Sequence, residues 1–423
     1  MPQLLLRNRW LVLGVLFAGL LLTLAACGGD DEKDTGGETT AATTAAAGGG
    51  GGDNVVTVAA GDKIQVGVTA VLSGDLVALG TTVLKAAELA AQQQGDIEGF
   101  EVEIVSADDT CDASGAEPAA QQLLANENLV AVIGSICSGV NVTVQPTYEE
   151  AHITQVSSGS TAVRVTYPEG RDPFDTFLRT VVHDGVQGVK QAEYATEVLQ
   201  STTAYVAHDT DAYGTGLADV FEDEFTKLGG EVVGRQGWEK QQTDFSALVT
   251  SVTTENPDLV YVASFDPEAA AFINQLRDAG FAGDFLAGDG VITEQFLTLS
   301  GDNAEGGYLS KPAPFEETPE LLQFQEDYLE YAGFPWDDQP YAAETFDAYT
   351  AIFNALTEVA TVVDGSLEID LDALNDAIHA QDFPGISGNI AFDDHGDVQG
   401  APGKPQIIFF IVEAGAYVQQ EFE

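Results

Sequence analysis

The chain has 423 residues, of which 68 are Asp or Glu and only 15 are Lys or Arg, so its formal net charge is −53. Charge of this sign argues against nucleic acid or anionic lipid as a partner, because both need a basic surface. It is compatible with a saline environment, where ions screen the self-repulsion. With 44% hydrophobic residues, the chain can bury a large core or two domains.

The N-terminus has the layout of a secretory signal peptide. Two arginines precede the apolar run Trp10–Leu22, which is shorter than the ~20 residues of a comfortable membrane span. Leu24-Ala-Ala-Cys27 follows, the small-residue pattern of a bacterial lipoprotein cleavage site. We therefore predict a signal peptide at residues 1–26, lipidation of Cys27, and an extracytoplasmic protein held to the cell membrane by that lipid. The alternatives are an ordinary signal peptide with a chance cysteine, or an uncleaved anchor.

The stretch after Cys27 has the composition of a flexible tether. Gly28–Asn54 consists largely of Gly, Ala, Thr and Asp, with a glycine run at Gly48–Gly52. Because it has almost no large apolar residue, it cannot bury enough surface to fold. We predict a linker over residues 27–62 and a folded body that begins at Lys63.

From Lys63 the sequence alternates between strand-like and helix-like segments. Strands are predicted at Lys63–Ala70, Phe100–Ser106, Val130–Ile133, Ile153–Val156, Thr203–Ala207, Glu231–Gly234, Asp258–Ala263 and Asp284–Ala287. Helices are predicted between them at Thr81–Gln94, Ala116–Ala125, Val140–Ala151, Tyr213–Leu228, Phe245–Thr254 and Pro267–Ala279. This order predicts an α/β fold with parallel sheets, and its restart near Thr180–Asp184 predicts two similar lobes.

The C-terminal part is less regular. Helices are predicted at Pro319–Tyr331, Tyr341–Val362 and Leu371–Ala380, and β-like segments at Ile386–Phe392 and Gln406–Val412. The acidic turn Asp393–Asp397 lies between the last two segments. Its order of carboxylates does not fit an EF-hand loop, so we expect a solvated turn rather than a calcium site.

Two loops rich in hydroxyl groups follow neighbouring strands early in the chain. Gly134–Gly139 comes after Val130–Ile133, and Ser157–Thr161 comes after Ile153–Val156. In open α/β sheets ligands bind at this edge, where helix N-termini present unpaired N–H groups. The pattern therefore predicts a site for a small anion such as a carboxylate. The alternative is that these Ser and Thr residues are only N-caps and turn residues.

Cys111 and Cys137 are the cysteines that remain after Cys27. In an extracytoplasmic protein, two such cysteines favour a disulfide over a metal site or a catalytic centre. The five histidines are scattered without ligand spacing, so we expect no metal and no cofactor.

The search for an enzyme finds no positive signal. Tyr213–Gly216 is similar to part of a dinucleotide fingerprint, but Asp219 stands at the third glycine position, where its charge would face a pyrophosphate. Walker A, H-E-x-x-H and G-x-S-x-G motifs are absent from the sequence. We therefore expect a binding protein rather than an enzyme.

Several motifs occur in an order and spacing that are typical of one family. The chain resembles the branched-chain amino-acid (Leu/Ile/Val-type) substrate-binding proteins of ABC importers over nearly all of Lys63–Glu423. The stretches that carry the resemblance are Asp108–Asp112, Val132–Gly139, Tyr148–Ala151, Tyr213–Ala218, Asp244–Leu248, Gly288–Gly290 and Ala304–Gly306.

The resemblance implies the type I periplasmic-binding-protein clamshell, in which three crossover strands join two Rossmann-like α/β lobes. Lobe 1 would comprise residues 63–181 and 311–398, and lobe 2 residues 182–310 and 399–423. The resemblance also implies that Cys111 and Cys137 form the family's disulfide.

The site residues implied by the resemblance divide by the end of the ligand that they hold. Ser138 would bind the α-carboxylate, Gly159 would supply a carbonyl to the ammonium, and Thr161 would supply a hydroxyl to the carboxylate. Asp289 would pair with the α-ammonium, where compared members of the family carry Glu. The other predicted contacts are Ser160, Tyr213, Phe265 and Leu79. Phe265 replaces an aromatic residue with a hydroxyl, and Leu79 replaces an aromatic residue that packs on the ligand.

Together with the predicted lipidation of Cys27, the resemblance implies a lipid-anchored, monomeric solute-binding subunit that delivers an amino acid or a related small carboxylate to an ABC permease and its ATPase. The family also includes binders of amides, urea and aromatic acids. The alternative is therefore a ligand-sensing ectodomain for such compounds, acting with a separate signalling partner.

Overall fold

The computed structural model describes residues 54–312, 318–336, 340–399 and 406–422. The predicted signal peptide at 1–26, the predicted lipidation site Cys27 and the predicted linker up to residue 53 lie outside this range. None of the helices within it is long and apolar enough to cross a membrane.

The first strand shows that the predicted linker is too long. Val55–Val58 forms β1, which pairs antiparallel with Leu367–Asp370 of a later strand. Val58 is fully buried, and this apolar contact holds the segment in the folded body. The prediction of a linker over 27–62 is therefore wrong at its C-terminal end.

The first lobe is built on a five-stranded parallel sheet. Its strands are β2 (Ile64–Ala70), β3 (Val102–Asp108), β4 (Leu129–Ile133), β5 (Thr154–Ser157) and β6 (Phe177–Arg179), in the order β3-β2-β4-β5-β6. Helices α1 (Val77–Gln94), α2 (Ala113–Leu124) and α3 (Ser138–Glu150) connect them. All five residues of β4 are buried, as expected for a strand covered on both faces.

The second lobe is built on a seven-stranded sheet. It contains β7 (Thr203–Asp209), β8 (Glu231–Trp238), β9 (Leu259–Ala263), β10 (Asp284–Ala287) and β11 (Tyr308–Pro312), all parallel. Its helices are α4 (Asp184–Glu197), α5 (Ala212–Lys227), α6 (Ser246–Glu255), α7 (Asp266–Asp278) and α8 (Glu294–Ser300). Helix α4 was not predicted, and Lys311 and Pro312 lie in this sheet although the sequence placed them in lobe 1.

The C-terminal segments return to both lobes. Three helices and four short strands lie with the first lobe. The helices are α9 (Pro319–Ala332), α10 (Ala342–Val359) and α11 (Leu371–His379), and the strands are β12 (Thr361–Val363), β13 (Ser366–Asp370), β14 (Asp382–Pro384) and β15 (Asn389–Ala391). Strands β16 (Ile407–Glu413) and β17 (Ala416–Gln420) complete the second sheet antiparallel to β11. The helix predicted over Tyr341–Val362 ends early, because β12 pairs with β13.

The chain therefore changes sheet after Arg179, after Pro312 and before Ile407, which is the arrangement of two α/β lobes joined by three crossovers. The finer lobe boundaries given above stay a prediction. The acidic turn Asp393–Asp397 is not simply solvated, because Asp397 is 4% exposed and accepts a hydrogen bond from Arg179 Nε at 2.5 Å.

Cys111 and Cys137 form the expected disulfide, with a Cα–Cα distance of 5.4 Å and a sequence separation of 26 residues. We expect Cys137→Ser to lower the free energy of unfolding by about 2–4 kcal/mol, because the opened chain gains freedom when unfolded. Denaturant titration measures this loss. The double variant with Cys111→Ser should lose no more than the single one, and rapid thiol labelling of both cysteines in the folded, unreduced protein would contradict the bridge.

Candidate functional site

The two hydroxyl-rich loops lie side by side at the carboxyl edge of the five-stranded sheet. The first follows β4 and leads into Ser138, the first residue of α3, and the second follows β5 and reaches Thr161. The N–H of Ala162 donates to Ser138 Oγ at 3.2 Å. Ser157 Oγ donates to the carbonyl of Ser135 at 2.7 Å. The loops are therefore joined by direct hydrogen bonds.

Hydroxyl groups of this loop pair are buried with unused hydrogen-bonding capacity. Ser160 is 0% exposed and Thr161 1% exposed, and neither side-chain oxygen has a hydrogen-bond partner among the described residues. A buried polar group left unpaired costs about 1–3 kcal/mol. Ser138 lies beside them at the N-terminus of a 13-residue helix, where the dipole favours negative charge. The loops thus suit a ligand that accepts hydrogen bonds.

Asp289 provides the opposite chemistry in the second lobe. It follows β10 in a short 3-10 turn and is 0% exposed. Tyr213 Oη donates to Asp289 Oδ1 at 2.8 Å, and the Tyr341 hydroxyl donates to Oδ2. Burial raises the pKa of Asp289, while the two tyrosine hydrogen bonds lower it. At Gly288 a Cβ would lie 2.7 Å from the Tyr213 hydroxyl, so the turn needs glycine there.

A second buried acid, which the sequence analysis missed, lies close to Asp289. Asp184 begins α4 and is 0% exposed, and neither of its carboxyl oxygens has a hydrogen-bond partner among the described residues. Burial raises the pKa of Asp184 well above its usual value, and the charge of Asp289 raises it further. Thr161 Oγ1 lies near enough to lower that pKa, although the two groups do not form a hydrogen bond of ordinary geometry. Two acids buried together suit a cation.

Tyr341 joins the hydroxyl half of the site to the acidic half. Its hydroxyl contacts Asp289, and its ring lies so close to Gly159 that a Cβ there would be 2.9 Å from Tyr341 Cδ2. Tyr341 has a φ of 80°, a left-handed conformation that is costly for a bulky residue and occurs mainly at functional sites. No local sequence pattern indicates this role, since Tyr341 reads only as the start of a helix.

Phe265 and Leu79 are the predicted contacts of the ligand side chain, and Leu79 lines a small cavity together with Gly290, the residue after Asp289. The Phe265 ring lies 5.2 Å from the Tyr213 ring, and both Phe265 and Leu79 are buried. Phe265 also lines a cavity of about 520 Å³ to which both lobes contribute. Ser138, Thr161 and Asp289 do not line this cavity. The structure therefore groups these predicted polar residues beside the open cavity rather than within it.

The lobes touch across the mouth of the cleft. Lys240, which follows β8, donates to the carbonyl of Cys111 in the first lobe and lies 3.3 Å from Asp211 Oδ2. Gln295 Nε2 donates to the carbonyl of Asp75 at 3.3 Å. The hydrogen bonds from Lys240 and Gln295 join the two lobes.

Among the described residues, no group of three or more His, Cys, Asp or Glu side chains could hold a metal ion.

A model of the family described as periplasmic binding protein matches residues 63–403. The chain therefore belongs to the periplasmic binding protein family. The family description is that of extracytoplasmic binding proteins, in agreement with the location and the binding role that the sequence predicts.

Among curated relatives, the chain is 33% identical over 207 residues to an amino acid binding protein of Pseudomonas aeruginosa strain PAO1. That alignment covers 49% of this chain and 54% of the relative, so this chain matches about half of the relative's length.

Among solved structures, the leucine binding protein LivK of Thermotoga maritima is 28% identical with a TM-score of 0.75, and the match covers 85% of this chain and 98% of that one. A solute binding protein of Rhodopseudomonas palustris in complex with benzoate has a TM-score of 0.72 at 19% identity, which shows the fold alone, over 84% of this chain and 95% of that one.

The buried Asp184 carboxyl predicts a pH dependence of stability. Its pKa is raised in the folded state, so the folded protein binds the proton more tightly than the unfolded one, and stability falls as the pH rises above the usual value of 3.8. We expect Asp184→Asn to leave the free energy of unfolding unchanged near pH 4 and to raise it increasingly towards pH 7. Urea titrations of ligand-free protein at several pH values measure this difference. The exposed Asp172→Asn is the control, and parallel curves for wild type and Asp184→Asn would contradict the prediction.

Proposed function

We propose that this protein is the solute-binding subunit of an ABC importer and that it takes an α-amino acid, of the branched-chain type or a related small carboxylate, between its lobes. The observation that carries the proposal is that the two lobes present different polar groups to the cleft. Unused hydroxyl groups lie on the first lobe and two buried acids lie on the second. A zwitterion is the small ligand whose two ends match this division.

At the first lobe, Ser138, Ser160 and Thr161 hold the ligand carboxylate. Hydroxyl donors and the N-terminus of α3 favour an anion, and burial strengthens each charge-assisted hydrogen bond. The Gly159 carbonyl accepts from the ammonium where the loop meets Tyr341. Gly159 allows this approach because a Cβ would also lie 2.7 Å from Ile136 Cγ2.

At the second lobe, Asp289 and Asp184 neutralise the ligand ammonium. Tyr213 and Tyr341 already donate to Asp289, so these tyrosines fix its carboxyl group in position. Asp184 has both oxygens free of hydrogen bonds within the described residues and supplies the second negative group. An ammonium between the two carboxylates removes the cost of burying them unpaired.

The ligand side chain extends towards Leu79 and Phe265. The similar leucine and amino acid binding proteins support an aliphatic amino acid. The alternative is a binder of aromatic acids, amides or urea that serves a separate signalling partner, and the similar structure with benzoate supports only its aromatic-acid ligand. That alternative gives Asp184 and Asp289 no cationic partner, so the amino acid is the better match.

The importer role includes an anchor and a delivery step. We propose that residues 1–26 are removed, that Cys27 is lipidated, and that the monomeric body delivers its ligand to an ABC permease with its ATPase. A composition of Gly, Ala, Thr and Asp over Gly28–Asp53 supports a tether of this kind.

The two ends of the ligand can be tested separately by calorimetry with leucine and its desamino analogue, 4-methylpentanoate. Asp289→Asn should weaken leucine binding by about 2–5 kcal/mol, because a buried ammonium loses its charged partner. Ser138→Ala should cost about 1.5–3 kcal/mol for either ligand, because the carboxylate loses one donor. 4-Methylpentanoate should bind wild type poorly and lose little more in Asp289→Asn.

If Asp289→Asn weakens leucine and 4-methylpentanoate equally, Asp289 does not bind the ammonium. If neither leucine nor another α-amino acid binds wild type while benzoate does, the alternative replaces the proposal.

Closure of the lobes offers an independent test through Lys240. We place the hinges near Thr180–Val182, Ser310–Pro312 and Asp397–Gly400, the last of which ends outside the described residues. Ligand binding should therefore reduce the radius of gyration in X-ray scattering. Lys240→Met should weaken leucine binding by about 0.5–1.5 kcal/mol, because the closed form loses a hydrogen bond between lobes. Lys227→Met is the matched control, since Lys227 is exposed and pairs with Glu224 of its own helix. An unchanged radius at saturating leucine would contradict closure.

A further inference from the structure

Arg179, the last residue of β6, is a charged side chain with no exposed surface. Arginine is almost never fully buried unless it is paired, so a buried arginine calls for a specific role. It is also one of only 15 basic residues in the whole chain.

The Arg179 guanidinium forms hydrogen bonds with the loop that is proposed to bind the ligand carboxylate. Nη1 donates to the carbonyl of Ser160 at 2.8 Å and to the carbonyl of Ala162 at 3.0 Å. These two carbonyls flank Thr161. Because peptide units are planar, these bonds fix the orientation of the Ser160–Thr161 and Ala162–Val163 peptide groups, one on each side of Thr161.

The hydrogen bonds from Arg179 also determine which polar groups of the loop remain available to a ligand. The two carbonyl oxygens, which would repel a carboxylate, are turned towards the guanidinium. The N–H of Ser160 donates to Ser157 Oγ at 3.0 Å, and the N–H of Ala162 donates to Ser138 Oγ. The Ser160 and Thr161 hydroxyls are left without hydrogen-bond partners in the described structure. A loop in this state presents hydroxyl donors to an anion.

Arg179 also forms hydrogen bonds with Gly396 and Asp397, which precede the third crossover of the chain between the lobes. Nε donates to Asp397 Oδ1 at 2.5 Å, and the backbone N–H of Arg179 donates to the carbonyl of Gly396 at 2.9 Å. Nη2 donates to Thr166 Oγ1 at 2.6 Å, and Thr166 Oγ1 donates to Asp397 Oδ2 at 3.2 Å. One side chain therefore connects the loop to two crossovers.

We propose that Arg179 is a positioning residue: without touching the ligand, it orients the Ser160–Ala162 loop for the ligand carboxylate and couples that loop to the Asp397 crossover. The inference rests on the proposed function for the identity of the ligand end. The geometry of the loop itself does not depend on that assignment.

The test compares Arg179→Lys with wild type, using leucine and leucinamide as probes. Lysine keeps the charge but lacks the planar fork that reaches several acceptors at once. Leucine affinity should fall about 10- to 100-fold, the range expected for losing a hydrogen bond to a charged group. Leucinamide has no carboxylate, so its affinity should change much less.

A second readout needs no ligand. Hydrogen exchange of the backbone amides in Ser157–Ala162 should become faster in ligand-free Arg179→Lys. Arg277→Lys is the matched control, because Arg277 Nη1 also donates to two backbone carbonyls, those of Phe281 at 3.0 Å and Gly283 at 2.8 Å, in the other lobe. It should leave loop exchange and the leucine-to-leucinamide ratio unchanged.

Each outcome decides the proposal. Selective loss of leucine together with faster loop exchange supports it, and equal loss of both probes or unchanged loop exchange overturns it. If wild type binds no α-amino acid, the proposed function fails and the exchange experiment alone decides the role of Arg179. If Arg179→Lys does not fold, Thr166→Val removes the Nη2 contact and the hydrogen bond from Thr166 to Asp397 but keeps the Nη1 contacts with the loop, and it should give the same selective changes at smaller size.

Discussion

The buried carboxyl groups of Asp184 and Asp289 impose the constraint on which the rest of the site depends. Both side chains are withdrawn from water, and burial raises the pKa of each. Asp289 is compensated by hydrogen bonds from Tyr213 and Tyr341, whereas Asp184 has no hydrogen-bond partner within the described residues. Taking a charge out of water is costly unless it is paired, so this corner of the cleft favours a cationic group over a neutral one.

The fold supplies the two halves of the site from separate lobes. Ser138 and Thr161 follow strands of the five-stranded sheet, while Asp289 follows a strand of the seven-stranded sheet. A small ligand held at both ends therefore needs both lobes at once, which links binding to closure. Tyr341 belongs to the segment that returns to the first lobe, yet it reaches Asp289 of the second. The first lobe thus contributes a side chain to the acidic half of the site as well.

The sequence predicts those parts of the fold and site that local patterns encode. The apolar run of β4, the loop that follows it and the start of α3 at Ser138 are predicted within two residues of their observed limits. Helix α4 was missed, because Gly185 and Gly188 interrupt a segment whose buried face is polar. Asp184, Gln187 and Gln191 share that face at helical spacing, which is the signal that could have indicated it.

Contacts between distant residues account for the other omissions. Arg179 and Asp397 are 218 positions apart, and Tyr341 and Asp289 are 52 apart. Nothing in the local sequence marks either pair, so the acidic turn at Asp397 was expected to be solvated. Likewise, β1 looked like the end of a tether because its partner β13 lies far along the chain.

Mass spectrometry of the small molecules released when the freshly purified protein is unfolded tests the central claim most directly. The account predicts a released α-amino acid, which carries both an ammonium for Asp184 and Asp289 and a carboxylate for the hydroxyl loops. A released ligand that lacks an ammonium group, such as an aromatic acid, would contradict it.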